Sequence, residues 1–227
     1  MIGPLATLAD FQLDDCTGSD ANPIVGRVSP QGYRWAGGLQ GQDQNKLATN
    51  FILDDADGTS NGHSHLDNRA FGPNQEFQVT LQGIPTGANF VFLFARVRNA
   101  PTTGLNAYWF GYLANSGTPQ WTLGRIINND SPTGITSNVA AGTVAVGDKM
   151  RLRCWADDIT GWCFRGGVWE LVISASSQLV QGGGTFDLEF AGNDTVAKVN
   201  DVRGGTIKPF VYDYTKQRRG AVSVRSY

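Results

Sequence analysis

The chain has 227 residues, with 18 Lys+Arg, 20 Asp+Glu and 2 His for a formal net charge of −2, and it carries 29 glycines. That length suits one large all-β domain with a sizeable core, and the mild negative charge argues against a nucleic-acid platform. No apolar run reaches the ~18 residues of a membrane span, and "MIGPLATLAD" lacks the basic start and long apolar stretch of a secretory leader.

Helix-length amphipathic patterns are missing. Short alternating runs punctuated by Gly, Asn and Asp recur instead, which predicts a β-sandwich or barrel of about ten to thirteen strands. The first is "ATLADFQLDD", with Leu8, Phe11 and Leu13 as its apolar positions. "QGYRWAGG" is a short strand carrying Tyr33 and Trp35, "KLATNFILDD" reads as one strand, "ADGTSNGHSH" as turn material and "EFQVTLQGI" as extended chain. "NFVFLFARVR" sets Phe90, Phe92 and Phe94 on one face and Val91, Leu93, Ala95 and Val97 on the other. A strand apolar on both faces lies between sheets or beneath covering loops. "NAYWFGYLA" and "QWTLGRII" follow. "VAVGDKMRLRCWA" alternates cleanly, with Met150, Leu152 and Cys154 inward and Arg151 and Arg153 outward. "GWCFRGG", "VWELVIS", "GTFDLEFAG" and "AKVNDVRGGTI" complete the series. No repeat of fixed period is present, which excludes propellers and solenoids. Patterned sequence ends near residue 207, so the expected organisation is a domain over 1–207 and an arm over 208–227.

Cys16, Cys154 and Cys163 form an odd set with no C-x-x-C spacing, which excludes a zinc ribbon or a redox motif. "RLRCWADDITGWCFRGG" reads strand, turn, strand, and would set Cys154 and Cys163 across a hairpin. Reduced core thiols are favoured there over a disulfide, because the absence of a leader implies a reducing place of synthesis.

Taken in order, "ADFQLDD", "GYRW", "VAVGDKMRLRCWADDITGWCFRGG" and "VNDVRGG" resemble the concanavalin A-like lectin/glucanase (laminin G-like) jelly roll over roughly residues 7–207. The resemblance implies a single all-β jelly-roll sandwich, and stand-alone versions are similar to domains of bacteriophage structural proteins. It says little about function, since one fold hosts many. Glucanases of this superfamily carry a strand motif E-x-D-x-E whose carboxylates act as nucleophile and general acid. Here the nearest match is "FDLEF", with Asp187 and Glu189. Alternate positions on a strand stand ~6.5–7 Å apart, and retaining hydrolysis needs carboxyl groups about 5–5.5 Å apart. Spacing alone therefore leaves hydrolysis open. The missing third carboxylate, with Thr185 or Phe186 in its place, argues against it. Phe186, Leu188 and Phe190 form the buried face, which leaves Asp187 and Glu189 as an ordinary solvated one.

His63 and His65 in "GHSHLDN" would point the same way in extended chain, as a metal pair does. Their Gly, Ser and Asn neighbours favour a surface loop without metal. Asp54, Asp55, Asp57 and Asn61 in "DDADGTSNG" supply oxygens of the kind calcium takes, but the ligand spacing is incomplete and a turn is favoured. There is no nucleophile elbow and no phosphate-binding loop. The sequence thus predicts no enzyme and no cofactor.

Aromatic residues are the remaining signal. Trp109 and Trp169 keep step with Leu113 and Leu171, which reads as core. Trp155 shares parity with Arg151 and Arg153 and points outward, and Trp162 is the expected cross-strand neighbour at a hairpin tip. Trp155 and Trp162, with Tyr108 and Tyr112, are the candidate partner- or glycan-binding residues. The tail "KPFVYDYTKQRRGAVSVRSY" holds five Lys/Arg against one Asp, a balance of +4 that leaves −6 on the rest. Its alternation suits strand addition to an open sheet edge, which makes Phe210, Tyr212, Tyr214, Arg218, Arg219 and Tyr227 the docking residues. The leading expectation is a non-enzymatic bacteriophage virion protein, a capsid decoration or tail/fibre component made in the host cytoplasm. Its partners would be other virion subunits, itself as a homo-oligomer and a surface glycan, with no nucleic acid and no membrane. The alternatives are a carbohydrate-binding lectin-like module and a divergent glycan hydrolase.

Overall fold

The computed structural model describes residues 12–37, 45–54, 61–66, 70–98, 104–128, 130–191 and 196–207. Two antiparallel sheets pack face to face. In the first, β14 (Val168–Ser176), β13 (Asp158–Arg165), β12 (Lys149–Trp155), β6 (Gln75–Gly83), β16 (Lys198–Thr206), β4 (Phe51–Asp54) and β3 (Asn45–Ala48) lie in that order, with β1 (Gln12–Asp14) on β16. In the second, the order is β10 (Thr133–Gly134), β9 (Gln120–Ile126), β8 (Asn106–Leu113), β7 (Phe90–Arg98), β15 (Thr185–Phe190), β5 (Gly62–Leu66) and β2 (Trp35–Ala36), with β11 (Val139–Ala140) on β9. Hairpin neighbours alternate with pairings between strands distant in sequence, such as β12 with β6, β6 with β16 and β7 with β15, as in a jelly roll. Among the described residues no helix is long and apolar enough to cross a membrane.

The core between the sheets follows the period-2 rule. Phe77, Val79 and Leu81 of β6 and Met150, Leu152 and Cys154 of β12 face Val91, Leu93 and Ala95 of β7 and Phe186, Leu188 and Phe190 of β15. Two segments that carry the resemblance meet at its edge. The Asp14 carboxylate, fully buried, accepts from the Trp35 indole N–H at 2.7 Å and the Cys16 amide at 2.8 Å, and pairs with Arg27. Burial raises its pKa, while these partners pull the other way.

Several expectations change. "KLATNFILDD" is a hairpin, not one strand: β3 and β4 pair through Ala48 and Phe51, with Thr49 and Asn50 at φ 52° and 67°. A two-residue turn of that hand closes a hairpin without splaying its strands, and Asn tolerates the conformation well. Val97 does not stay with Val91. A bulge at Arg96, φ 54°, shifts the register on both sides of β7 and turns Val97 onto the opposite face. Cys154 stands opposite Ile159 and Cys163 opposite Met150, so the two thiols do not face each other, and all three cysteines are free and buried. Residues 208–227, with Phe210, Tyr212, Tyr214, Arg218, Arg219 and Tyr227, lie outside the described residues, as do Leu8, Phe11, Asp55 and Asp57.

Arg96 is the principal tie between loops. Its guanidinium, in a residue only 2% exposed, donates to three carbonyls: Pro73 from Nε at 2.7 Å, Val180 from Nη1 at 2.9 Å and Ala156 from Nη2 at 2.6 Å. Arg96→Met removes these bonds and strands three carbonyls, so we expect a loss of about 3 kcal/mol or more. Urea denaturation reads this directly, and a midpoint equal to the parent's would refute it.

Candidate functional site

The outer face of the second sheet gathers residues far apart in sequence. Strand β15 pairs with β5 so that Asp187 stands opposite His65, and Glu189 opposite His63. With Phe186, Leu188 and Phe190 turned to the core, Asp187 and Glu189 share the outer face with both histidines. The His63 ring lies between the two carboxylates: Nδ1 is 2.9 Å from Asp187 Oδ1 and Nε2 is 3.1 Å from Glu189 Oε1. Asn61 Nδ2 donates to the same Glu189 oxygen at 2.8 Å.

This corrects two expectations. His63 and His65 belong to a strand, not a loop, and both are buried, 3% and 5% exposed. Asp187 and Glu189 are not solvated, at 0% and 7%. Burial disfavours a charged His63, but Glu189 and Asp187 outweigh it and push its pKa up to about 10, so the ring is an imidazolium at neutral pH. Burial in turn raises Asp187, against the pull of His63. With both nitrogens taken by carboxylates, His63 is not presented as a metal ligand, and among the described residues no group of three or more His, Cys, Asp or Glu is placed to hold a metal ion.

Beside this cluster runs an aromatic ladder. Phe90 and Phe92 stack at 4.2 Å between centroids and Phe92 and Trp109 at 4.9 Å, with interplanar angles of 17° and 18°. Glycines make room for it: a side chain at Gly111 would collide with the Phe92 ring, and one at Gly124 with the Trp109 indole. Phe94 continues the face and touches His63 at 5.7 Å between centroids. Among the described residues, three polar atoms in this region are buried without a partner: Asp187 Oδ2, His65 Nδ1 and Trp109 Nε1. Such atoms are uncommon in folded proteins, and each calls for a partner such as water or a bound molecule.

The residues singled out from sequence are scattered. Tyr108 and Tyr112 belong to the main core, 0% and 5% exposed, with the Tyr108 hydroxyl bonded to Ser177 and to the Val180 amide, so neither ring is presented to a partner. Trp109 lies on the outer face of the second sheet and not in the main core. Trp155 and Trp162 are both half-buried on the outer side of the first sheet, but they are not cross-strand neighbours: Trp155 pairs with Asp158, and Trp162 with Arg151. Trp169 also lies there, against Arg151, and Leu171 is 51% exposed. Sequence reasoning missed the His63 cluster, although the alternation of "GHSHL" and "FDLEF" held the signal that each pair shares a face.

Known structures share this architecture. The VIP36 exoplasmic/lumenal domain in its Ca²⁺/Man3GlcNAc-bound form aligns with a TM-score of 0.59 and 10% identity over 82% of this chain and 87% of that one. The carbohydrate-binding module CBM66 from Bacillus subtilis gives 0.51 and 14% over 77% and 92%, and the Bacillus licheniformis β-glucanase 0.54 and 11% over 78% and 92%. The chain therefore has the concanavalin A-like jelly-roll fold. No family model matches it, and no curated protein matches it in sequence.

The buried imidazolium makes stability depend on pH. A histidine whose pKa is raised on folding stabilises fully below its unfolded value, about 6.5, and loses that contribution as pH climbs towards 10. We expect urea midpoints to fall steadily from pH 7 to 8; above that the buried thiols Cys16, Cys154 and Cys163, held protonated in the folded protein, add their own loss as their unfolded counterparts ionise. In His63→Gln this slope should be absent; a parent midpoint that stays flat over the range would show that the ring is neutral.

Proposed function

We propose that the protein is a non-enzymatic, lectin-like carbohydrate-binding module that holds a neutral glycan against the outer face of the second sheet. The observation that carries this reading is the half-buried Phe90–Phe92 stack, backed by the buried Trp109, running alongside a cluster whose buried polar atoms include some without a partner among the described residues. Apolar platforms with a few convergent polar groups are the usual make-up of small-ligand sites. The fold, shared with a mannose-oligosaccharide complex and a carbohydrate-binding module, supports the same reading. The two carboxyl groups of the cluster disfavour acidic sugars, which would bring further acid groups beside them. Hydrolysis is disfavoured because Thr185 stands where E-x-D-x-E has its first carboxylate, and its hydroxyl is engaged by the Leu66 carbonyl.

A glycan array followed by calorimetry tests this. Neutral oligosaccharides should bind without release of reducing sugar, and Phe92→Ala should weaken binding about tenfold, about 1.4 kcal/mol, in a protein that stays folded. Turnover that disappears in Asp187→Asn would instead support the hydrolase reading.

The virion role stands as a second reading, favoured by the +4 balance of residues 208–227 against a body of −6. Under it, that segment docks on neighbouring subunits. Removing it should leave a folded sandwich that no longer assembles, as sedimentation would reveal, and unchanged assembly would end this reading.

A further inference from the structure

The outer face of the first sheet, across the sandwich from the His63 cluster, carries chemistry that the neutral-glycan reading leaves unused. Lys149, Arg151 and Arg153 alternate along β12 and point away from the core. Around them stand Trp155, Trp162, Phe164 and Trp169, all half-buried. Cations and rings are matched: the Arg151 guanidinium is 3.6 Å from the Trp169 centroid, Arg153 5.7 Å from Trp155 and Lys149 5.9 Å from Phe164. Lys198, further across the sheet, is 5.8 Å from Phe51.

Carboxylates on this face are shared. Glu76, 3% exposed, lies between Arg151 at 2.9 Å and Arg153 at 3.8 Å. Asp201 lies between Lys149 at 3.7 Å and Arg203 at 2.8 Å. Each carboxylate thus answers two cations. Arg165 and Glu170 cancel at the far edge, 2.7 Å apart. With Lys198 added, five cations (Lys149, Arg151, Arg153, Lys198 and Arg203) stand against Glu76 and Asp201, while Asp148, Asp157 and Asp158 lie at the ends of β12 and β13, so the middle of the face is rich in cations on a body whose balance is −6. Glu76 is sunk beside arginine side chains that are 20% and 21% exposed; the Nε of each is buried, and Arg151 also donates from Nη2 to Gln78 Oε1 at 2.9 Å.

We propose that this face docks an anionic polysaccharide, a chain of sugars bearing carboxylates or sulfates at intervals. A guanidinium held against an indole is pre-set to offer its N–H edge to a planar or tetrahedral oxyanion, and the adjoining ring surfaces suit the apolar sides of sugars. From Arg151 to Trp155 the strip runs about 13 Å along the strand, enough for more than one sugar. Nucleic acid fits less well, because a duplex carries one charge per about 1.7 Å, far denser than the few surplus cations here. The surface is independent of the neutral-glycan site, so either can fail alone.

Affinity electrophoresis of the full chain tests it, with polygalacturonate and heparin as probes and neutral dextran and single-stranded oligothymidylate as comparators. We expect retardation by at least one acidic polysaccharide, lost at high salt and absent with dextran. Polygalacturonate alone would mark carboxylate as the recognised group, and heparin alone sulfate. The Trp155→Ala/Trp162→Ala variant should bind about tenfold more weakly. Circular dichroism checks its fold, and if that variant unfolds, Lys198→Gln/Arg203→Gln, expected to lose about threefold, decides in its place. The proposal is overturned if neither acidic probe retards the protein, if oligothymidylate binds as tightly, or if folded variants bind like the parent.

Discussion

A single buried guanidinium holds this sandwich together at one end. Arg96 occupies a bulge in β7, and its three side-chain hydrogen bonds go to carbonyls of three separate connections: the approach to β6, the β12–β13 turn and the loop before β15. A charge in the interior is costly unless every donor finds an acceptor. Convergence of three loops on one cation meets that demand, and so ties the loops to each other. Gln75 completes the arrangement, taking the Arg96 amide at 2.7 Å and giving its own amide to the Gly184 carbonyl at 2.9 Å.

The site follows from that bulge. Below it, β7 and β15 pair in register through Asp187–Phe94 and Glu189–Phe92, and above it Thr185 pairs with Val97. The extra residue is taken up at Arg96, so Val97 joins Phe94 and Trp109 on the outer face, while Asp187 and Glu189 meet the β5 histidines. A one-residue slip in β15 would turn both carboxylates inward and both phenylalanines outward. The loop tie and the His63 cluster are therefore parts of one constraint.

How much of this was legible depends on range. Alternation within a strand was readable: Met150, Leu152 and Cys154 inward against Arg151 and Arg153, and Phe186, Leu188 and Phe190 inward. From these the two-layer fold followed. What could not be read was which strand lies beside which. Asp187 and His63 are 124 positions apart, and only their pairing turns two polar residues on a nominally exposed face into a buried ion cluster. The same gap misplaced Trp109. Its parity with Leu113 is real, but an apolar parity does not say which side of the sheet is the core when Phe92 and Phe94 make the outer side apolar too. Local turn chemistry also hid in plain view, since Thr49–Asn50 splits a run that otherwise reads as continuous strand.

Stability alone does not explain the outer face of the second sheet. Its neighbours at the cluster are Phe92 and Phe94, and an apolar trio in place of His63, Asp187 and Glu189 would continue that surface without desolvating three ionic groups. Buried ion clusters are often matched or exceeded in stability by such replacements. Retaining the ions, and beside them unpartnered atoms on Asp187, His65 and Trp109, has a structural cost with no structural return. Perturbed, buried titratable groups concentrate at functional sites for this reason. The opposite face solves its electrostatics differently: there Glu76 and Asp201 are each shared between two cations, and Lys149, Arg151 and Arg153 among these also lie near aromatic rings. One sheet thus buries a carboxyl–imidazole cluster beside its aromatics, and the other sets a row of cations against aromatics at its surface. A fold whose two faces differ in chemistry and in burial offers two distinct surfaces, each set by which side of its strands carries the ionic groups.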